Sequence, residues 1–118
     1  MSTRSMILAY THSEKLKTAL LWATQLIELH IGQAETQRTG SAPLIRAVVS
    51  MIANEIQLAG QVAPDGQWES VAKHVNLGLV MIDSGVVSEA TFHLTKALSH
   101  VTTIGQRSMQ RLIDQGLL

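Results

Sequence analysis

Three ionisable side chains lie on helical faces that are otherwise apolar, an arrangement that could support proton transfer or metal binding. At 100° per residue, His12 and His30 project at the same angle, in the middle of an apolar face. Glu55 lies among apolar residues of the next predicted helix, where an ionised carboxylate is costly unless it is paired or protonated. We therefore expect a mostly buried, hydrogen-bonded Glu55. The three residues are either satisfied interior polar groups or the lining of a small-ligand pocket between helices.

The spacing of these residues argues against a shared metal site. His12 and His30 are 18 residues apart, which corresponds to about 27 Å along a helix axis. Pairing the first two helices antiparallel leaves His30 and Glu55 at levels that differ by about 9 Å. The Glu-x-x-His pair of di-iron bundles does not occur, and the comparable pair, Glu89 and His93, lies on a predicted polar face. We expect neither a metal nor another cofactor.

A second set of candidates lies on the polar face of the last predicted helix. The residues of this face are Glu89, His93, Lys96, His100, Arg107 and Asp114. His93 and His100 are seven residues apart, so their side chains project in the same direction, which we expect to be into solvent. Such a pattern is typical of a solvated helix face.

The segment HLTKALS, which begins at His93, resembles the histidine phosphotransfer signature H-x-x-K-G-x-S. Domains of that family are four-helix bundles of about this length. The resemblance implies that His93 accepts a phosphoryl group, that Lys96 offsets its charge, and that Ala97 is the small residue beside a docked receiver domain. The resemblance covers only this segment. Ala97 stands where the family has glycine, and the segment begins the last helix whereas the family carries it on an earlier one.

Other enzyme signatures are absent from the sequence, which has no glycine-rich phosphate loop, G-x-S-x-G elbow or H-E-x-x-H motif. Arg107 and Arg111 lie one turn apart and could touch a phosphate. Because the chain has no basic stripe, solvation of the helix or pairing with Asp114 explains these arginines better. Trp22 and Trp68 are interpreted as core or interface anchors, and Trp22 lies at the rim of its stripe, where an interface anchor is expected.

The composition is that of one neutral domain able to form a core. The 118 residues are 46% hydrophobic and 15% charged, which favours a folded domain spanning residues 1–118. Nine Lys+Arg balance nine Asp+Glu, so the broad positive field typical of nucleic-acid or anionic-membrane binding is missing. The absence of cysteine excludes disulfides and thiolate metal sites. Apolar runs fall far short of the roughly 18 residues of a membrane span, so we expect a soluble, cytoplasmic protein.

Helix-favouring residues dominate, and the apolar spacing predicts four helices. They are expected at residues 13–38, at 41–60 with Pro43 in the first turn, at 65–83, and for about 28 residues from Ser88. The predicted breaks lie near residues 39–40, 64–66 and 84–87. The apolar stripe predicted for the second helix includes Leu44, Met51 and Leu58. Short connections favour antiparallel neighbours, so the predicted fold is an all-α, up-down-up-down four-helix bundle with longer first and fourth helices.

The unequal helix lengths predict uncovered apolar surface at one end of the bundle, where the first helix begins and the fourth ends. The residues expected to be incompletely covered there are Leu8, Leu16, Met109, Leu112 and Ile113. A second copy would complete this core, so we predict a homodimer that uses the first and fourth helices, with Trp22 as a further anchor. The alternative is that the terminal turns fray and leave a monomer.

These features favour a non-enzymatic protein-interaction module, acting as an adaptor, inhibitor or regulatory subunit and binding an unidentified protein partner. Two other hypotheses remain open at this point. One is a signalling protein of the histidine phosphotransfer type that uses His93. The other is a helical DNA-binding regulator, which the net charge of +0 disfavours.

Overall fold

A computed structural model describes residues 2–118, which form four helices and no strand. These are α1 (Thr3–Ile31), α2 (Glu35–Val62), α3 (Gln67–Asp83) and α4 (Val87–Asp114). Each helix packs against its neighbours in the order α1, α2, α3, α4 and back to α1. The predicted four-helix bundle is confirmed, and its first and fourth helices have 29 and 28 residues.

The first break between helices lies earlier than predicted, at residues 32–34. The N–H of Gly32 donates to the carbonyl of Glu28 at 3.1 Å and closes α1. α2 then runs through Gly40 and holds Pro43 in its interior, so the predicted helix start at Ser41 is wrong. Glycine costs a helix about 1 kcal/mol and proline removes one hydrogen bond, which the two additional turns of α2 outweigh.

Contacts between the ends of α1 and α2 explain why the helix is stable there. The Arg38 guanidinium donates to the carbonyl of Ile31 at 2.5 Å, which satisfies one of the unpaired carbonyls at the end of α1. His30 Nδ1 and Ser41 Oγ form a hydrogen bond of 2.6 Å. Both contacts require residues 35–41 to continue as a helix beside α1. The other two predicted breaks, near residues 64–66 and 84–87, are confirmed.

α1 and α4 approach each other closely through small residues. A Cβ added at Gly105 would lie 2.8 Å from Ser13 Oγ, which shows how little space separates the two helices. Ala9 and Ser108 are also buried on these helices. At the end of the bundle, Thr3 Oγ1 donates to the side-chain oxygen of Gln115 at 3.1 Å. The start of α1 therefore lies beside the end of α4.

α2 is the most superficial helix of the bundle. Its buried residues are Ile45, Val49, Ile52, Ile56 and Ala59. They are five residues out of 28, against nine out of 28 in α4, so α2 contributes less to the core. The stripe predicted for this helix is wrong in part, because Leu44, Met51 and Leu58 are exposed. Grooves consequently remain between α2 and each of its neighbours.

Candidate functional site

The three interior polar residues predicted from the sequence lie apart from one another. His30 is buried and bonded to Ser41, as a satisfied interior residue would be. His12 is half-buried, and its buried Nδ1 has no hydrogen-bond partner. Glu55 is hydrogen-bonded as expected, to Lys15 Nζ at 3.0 Å, and it is half-buried, with 37% of its side chain exposed. Its position lies at the edge of the buried stripe of α2.

These residues are too far apart to form a cluster of metal ligands. Groups of three or more His, Asp or Glu side chains that could hold an ion are absent from residues 2–118. The remaining candidates are an apolar surface on α1 and α2 and a line of histidines between α3 and α4.

The apolar surface, here called the α1/α2 face, consists of large side chains that point outward from the bundle. Its members are Trp22, Leu26 and Leu29 on α1 and Leu44, Met51 and Leu58 on α2. Four of them are 64–69% exposed, namely Trp22, Leu29, Leu44 and Met51. Burying such side chains is worth about 1.5–3 kcal/mol each, so the exposed face is a favourable binding surface.

The spacing of these residues explains how one face of each helix remains outside the core. Leu44, Met51 and Leu58 are separated by seven residues, as are Trp22 and Leu29. Seven residues are close to two helical turns, so each set forms a line along its helix. α2 therefore carries two apolar stripes, and only the stripe of Ile45, Val49, Ile52 and Ile56 faces the core.

A groove of about 580 Å³ runs between the two helices at the centre of this face. Its apolar walls include Ala19, Trp22, Leu26, Val48, Met51 and Ile52. The charged residues that line it are Lys15 and Glu55, which pair with each other. The groove is thus apolar with a neutral ion pair at one end.

The residues predicted to form an interface at the bundle end are placed differently. Leu16 and Leu112 are buried within the chain itself, so the expectation that they are incompletely covered is wrong. α1 begins at Thr3, ten residues earlier than predicted, and its first turns cover the last turns of α4. Leu8 packs against the core, whereas Met109 and Ile113 are partly exposed. Trp22 is well exposed, as its position at the rim of the stripe suggested.

A line of three histidines, here called the histidine seam, lies where α3 packs on α4. His74 belongs to α3, and His93 and His100 belong to α4. The rings of His74 and His100 are stacked, with centroids 5.4 Å apart and planes inclined by 11°. His100 Nδ1 is 2.6 Å from the side-chain oxygen of Gln67, an acceptor that places the proton on Nδ1.

The environment of the seam disfavours positive charge on His74. Burial lowers the pKa of His74 below its usual value, and the neighbouring bases His100, Lys96, Lys73 and His93 lower it further. The Nδ1 atoms of His74 and His93 are buried and have no hydrogen-bond partner. A proton added at either atom would have no acceptor.

His93 and Lys96 do not form the exposed pair that the phosphotransfer resemblance implies. His93 is half-buried and meets the ring of Phe92 edge-on, with centroids 5.4 Å apart. Lys96 Nζ lies 4.4 Å above the centre of the same ring, in a cation–π contact. The expectation that His93 and His100 point into solvent is wrong, because α3 covers that side of α4.

The seam was missed in the sequence because its key residue, His74, lies on a different helix from the other two histidines. A local signal does exist in Gly78, one turn after His74. A Cβ at Gly78 would lie 3.3 Å from Leu94 Cδ2, so this glycine permits the close packing of α3 on α4. Helix periodicity by itself does not reveal which two helices approach in this way.

Two further side chains hold the start of α3. Arg107 Nη2 donates to both carboxylate oxygens of Asp65 at 2.9 Å, so Arg107 pairs with Asp65 and not with Asp114. Trp68 is buried, and its Nε1–H donates to the carbonyl of Ala63 at 2.8 Å. Trp68 is therefore a core anchor.

Comparisons of the chain with family models, with curated proteins and with solved structures found no match. None of the helices within residues 2–118 combines the length and hydropathy needed to cross a membrane. The α1/α2 face and the histidine seam are the two features that support a proposal of function.

Proposed function

We propose that the chain is a non-enzymatic protein-interaction module that forms a homodimer through the α1/α2 face. The observation that carries this proposal is the exposure of Trp22 and Met51 at the centre of an apolar surface. Tryptophan is enriched among the residues that dominate binding energy at protein interfaces. The dimer would be the working form of an adaptor, inhibitor or regulatory subunit, with α3 and α4 left accessible to a further partner.

The area of the face suits a second copy. A fully exposed large side chain presents about 200 Å². Weighted by their exposed fractions, the six members of the face together present on the order of 700 Å². The largest apolar patch on a typical monomer is about 300–600 Å². A stable interface buries roughly 800 Å² on each partner, or about a tenth of a small protein's surface. The total surface of this chain is 6737 Å², so the face has the size that a dimer of standard area needs.

The charge distribution also fits self-association. The Lys15–Glu55 pair is neutral overall, and it lies seven residues from the level of Trp22, which is about 10 Å along the helix. A two-fold axis through Trp22 and Met51 would place the pairs of the two copies about 20 Å apart, on opposite sides of the axis. No like charges would meet. A strongly charged partner would find no counter-charge in the centre of this face.

The position of this interface differs from the sequence-based prediction. The predicted interface used the first and fourth helices, at the end of the bundle. Leu16 and Leu112 are unavailable for it because they are buried. The proposal therefore assigns the contact to α1 and α2 and retains Trp22 as an anchor.

Sedimentation equilibrium of the full chain at micromolar concentration tests this proposal. We expect a wild-type species of twice the 12.8 kDa chain mass. Met51→Lys should weaken the dimer by about 30-fold or more, the effect of losing about 2 kcal/mol at an interface hot spot. Val80→Lys is the matched control, because Val80 on α3 is 51% exposed but lies outside the face. Circular dichroism establishes that each variant is folded.

Two results would contradict the proposal. One is a wild-type mass of 12.8 kDa throughout the concentration range. The other is a dimer that Met51→Lys leaves intact and Met109→Lys disrupts, which would assign the interface to the end of α4 instead.

A further inference from the structure

The histidine seam brings together titratable side chains from two helices without an acidic partner. We propose that it is a pH-sensitive switch, in which protonation of His74, which stacks on His100, separates α3 from α4 as the pH falls below about 6.5. This inference is independent of the α1/α2 face, which lies on the other two helices.

The stacked geometry is suited to neutral imidazoles. The two ring centroids are 5.4 Å apart and the rings are nearly parallel. Two imidazolium ions at this separation repel each other, and the repulsion is stronger in a partly buried position than in water. A first proton on either ring therefore makes a second one unfavourable while the helices remain packed.

The ring nitrogens provide a second, independent reason why protonation is unfavourable while the helices remain packed. Protonation of a neutral histidine places a donor on both ring nitrogens. His74 Nδ1 and His93 Nδ1 are buried without a partner, so each protonated ring would carry an unpaired buried N–H unless the helices move apart. His100 differs, because its Nδ1 bonds to the side-chain oxygen of Gln67.

The groups that act on His74 are all bases. Lys73 lies on the same helix, and Lys96, His93 and His100 come from α4. Among the ion pairs of residues 2–118, none engages Lys73 or Lys96. The carboxylate of Asp65, at the start of α3, is already engaged by Arg107.

The direction of the pH effect follows from these contacts. Since the pKa of His74 is lowered in the folded chain, the unfolded or opened state binds the proton more tightly. The stabilising contribution of the neutral ring is complete above the ordinary histidine pKa of about 6.5. It declines as the pH falls below that value. Because the stacked rings of His74 and His100 belong to α3 and α4, the separation of these two helices is the local opening we expect.

Hydrogen exchange of the full chain at pH 7.5 and pH 5.5, corrected for intrinsic exchange rates, tests the switch. We expect protection factors in α3 to fall at least tenfold more than those in α1 when the pH is lowered. His74→Gln, which cannot be protonated, should keep its α3 protection. His100→Gln removes the other ring of the stack and should likewise keep its α3 protection. This variant provides the test if His74→Gln fails to fold. His12→Gln is the control, because His12 is a half-buried histidine on α1, and it should behave as wild type.

Equal loss of protection in α3 and α1 would overturn the proposal, and so would a wild-type response in both seam variants. Titration of Asp83 does not account for such a change. The Arg46 guanidinium holds the pKa of Asp83, the acidic residue at the end of α3, below its ordinary value of 3.8. That group consequently stays ionised throughout the range studied.

Discussion

Replacing Gly105 with alanine tests the close packing of α1 on α4. Alanine is about 1 kcal/mol better than glycine within a helix, so the substitution on its own should stabilise α4. The added Cβ, however, would lie 2.8 Å from Ser13 Oγ and 3.4 Å from Ser13 Cβ. The first distance is shorter than a van der Waals contact allows, so either the Ser13 side chain or the whole helix must move.

Movement of the Ser13 side chain is costly because the side chain is buried and hydrogen-bonded. Ser13 is 2% exposed, and its Oγ–H donates to the carbonyl of Tyr10 at 2.8 Å. Rotation away from the new methyl group would break this bond, and separation of the helices would loosen the core on both sides. Overpacking of this kind costs about 1–3 kcal/mol. With the gain in helix propensity subtracted, we expect Gly105→Ala to lower the free energy of unfolding by up to about 2 kcal/mol.

Urea denaturation followed by circular dichroism, at one fixed protein concentration, measures this change. Gly40→Ala is the matched control, since Gly40 lies inside α2 and a Cβ there would meet nothing within 4 Å. It should raise the free energy of unfolding by up to about 1 kcal/mol. Ser13→Ala in the Gly105→Ala background removes the oxygen in the 2.8 Å contact and should recover about 1 kcal/mol in a double-mutant cycle. If Gly105→Ala stabilises the chain as Gly40→Ala does, the close crossing is refuted.

Two further predictions concern the core. Trp68→Phe removes the donor to the buried Ala63 carbonyl and should cost about 1–3 kcal/mol in urea denaturation; an unchanged midpoint would show that this bond contributes nothing. Truncation after Met109 removes the buried Leu112, so it should destabilise the bundle itself by about 2 kcal/mol or more. A truncated chain that dissociates while keeping its stability would instead favour an interface at that end.

The fold class was accessible from the sequence because the pattern that determines it is local. On α1, Leu16, Leu20, Ala23 and Ile27 recur at helical spacing, and all four are buried. The buried residues of α4 with the same spacing include Leu94, Ala97 and Val101. Apolar residues at this spacing produce an amphipathic helix whichever helix lies opposite, so four such segments predict a helical bundle.

The first turn was misplaced because the local signals of Gly40 and Pro43 predicted a break near residues 39–40. The chain turns instead at residues 32–34. The preference depends on contacts between α1 and α2, such as the hydrogen bond of Arg38 to the Ile31 carbonyl. Such contacts exist only once both helices are packed, and helix propensity does not contain them.

The candidate sites depended even more on tertiary structure. The sequence marked His93 and Glu55 as unusual, but their surroundings come from distant positions. Lys15 reaches Glu55 across 40 residues, and Gln67 reaches His100 across 33. Glu55 is half-buried beside Lys15, and the predicted exposure of His93 was wrong, since burial is a property of the packed neighbours.

The sequence by itself determined the four amphipathic helices, the neutral charge and the absence of thiol chemistry. For α2 it predicted a single apolar stripe. Only the tertiary structure decided that the stripe of Ile45, Val49, Ile52 and Ile56 faces the core while that of Leu44, Met51 and Leu58 faces outward. The physical reason is that both stripes lower the free energy when buried, and a helix at the surface of a bundle can bury only one of them against its own chain.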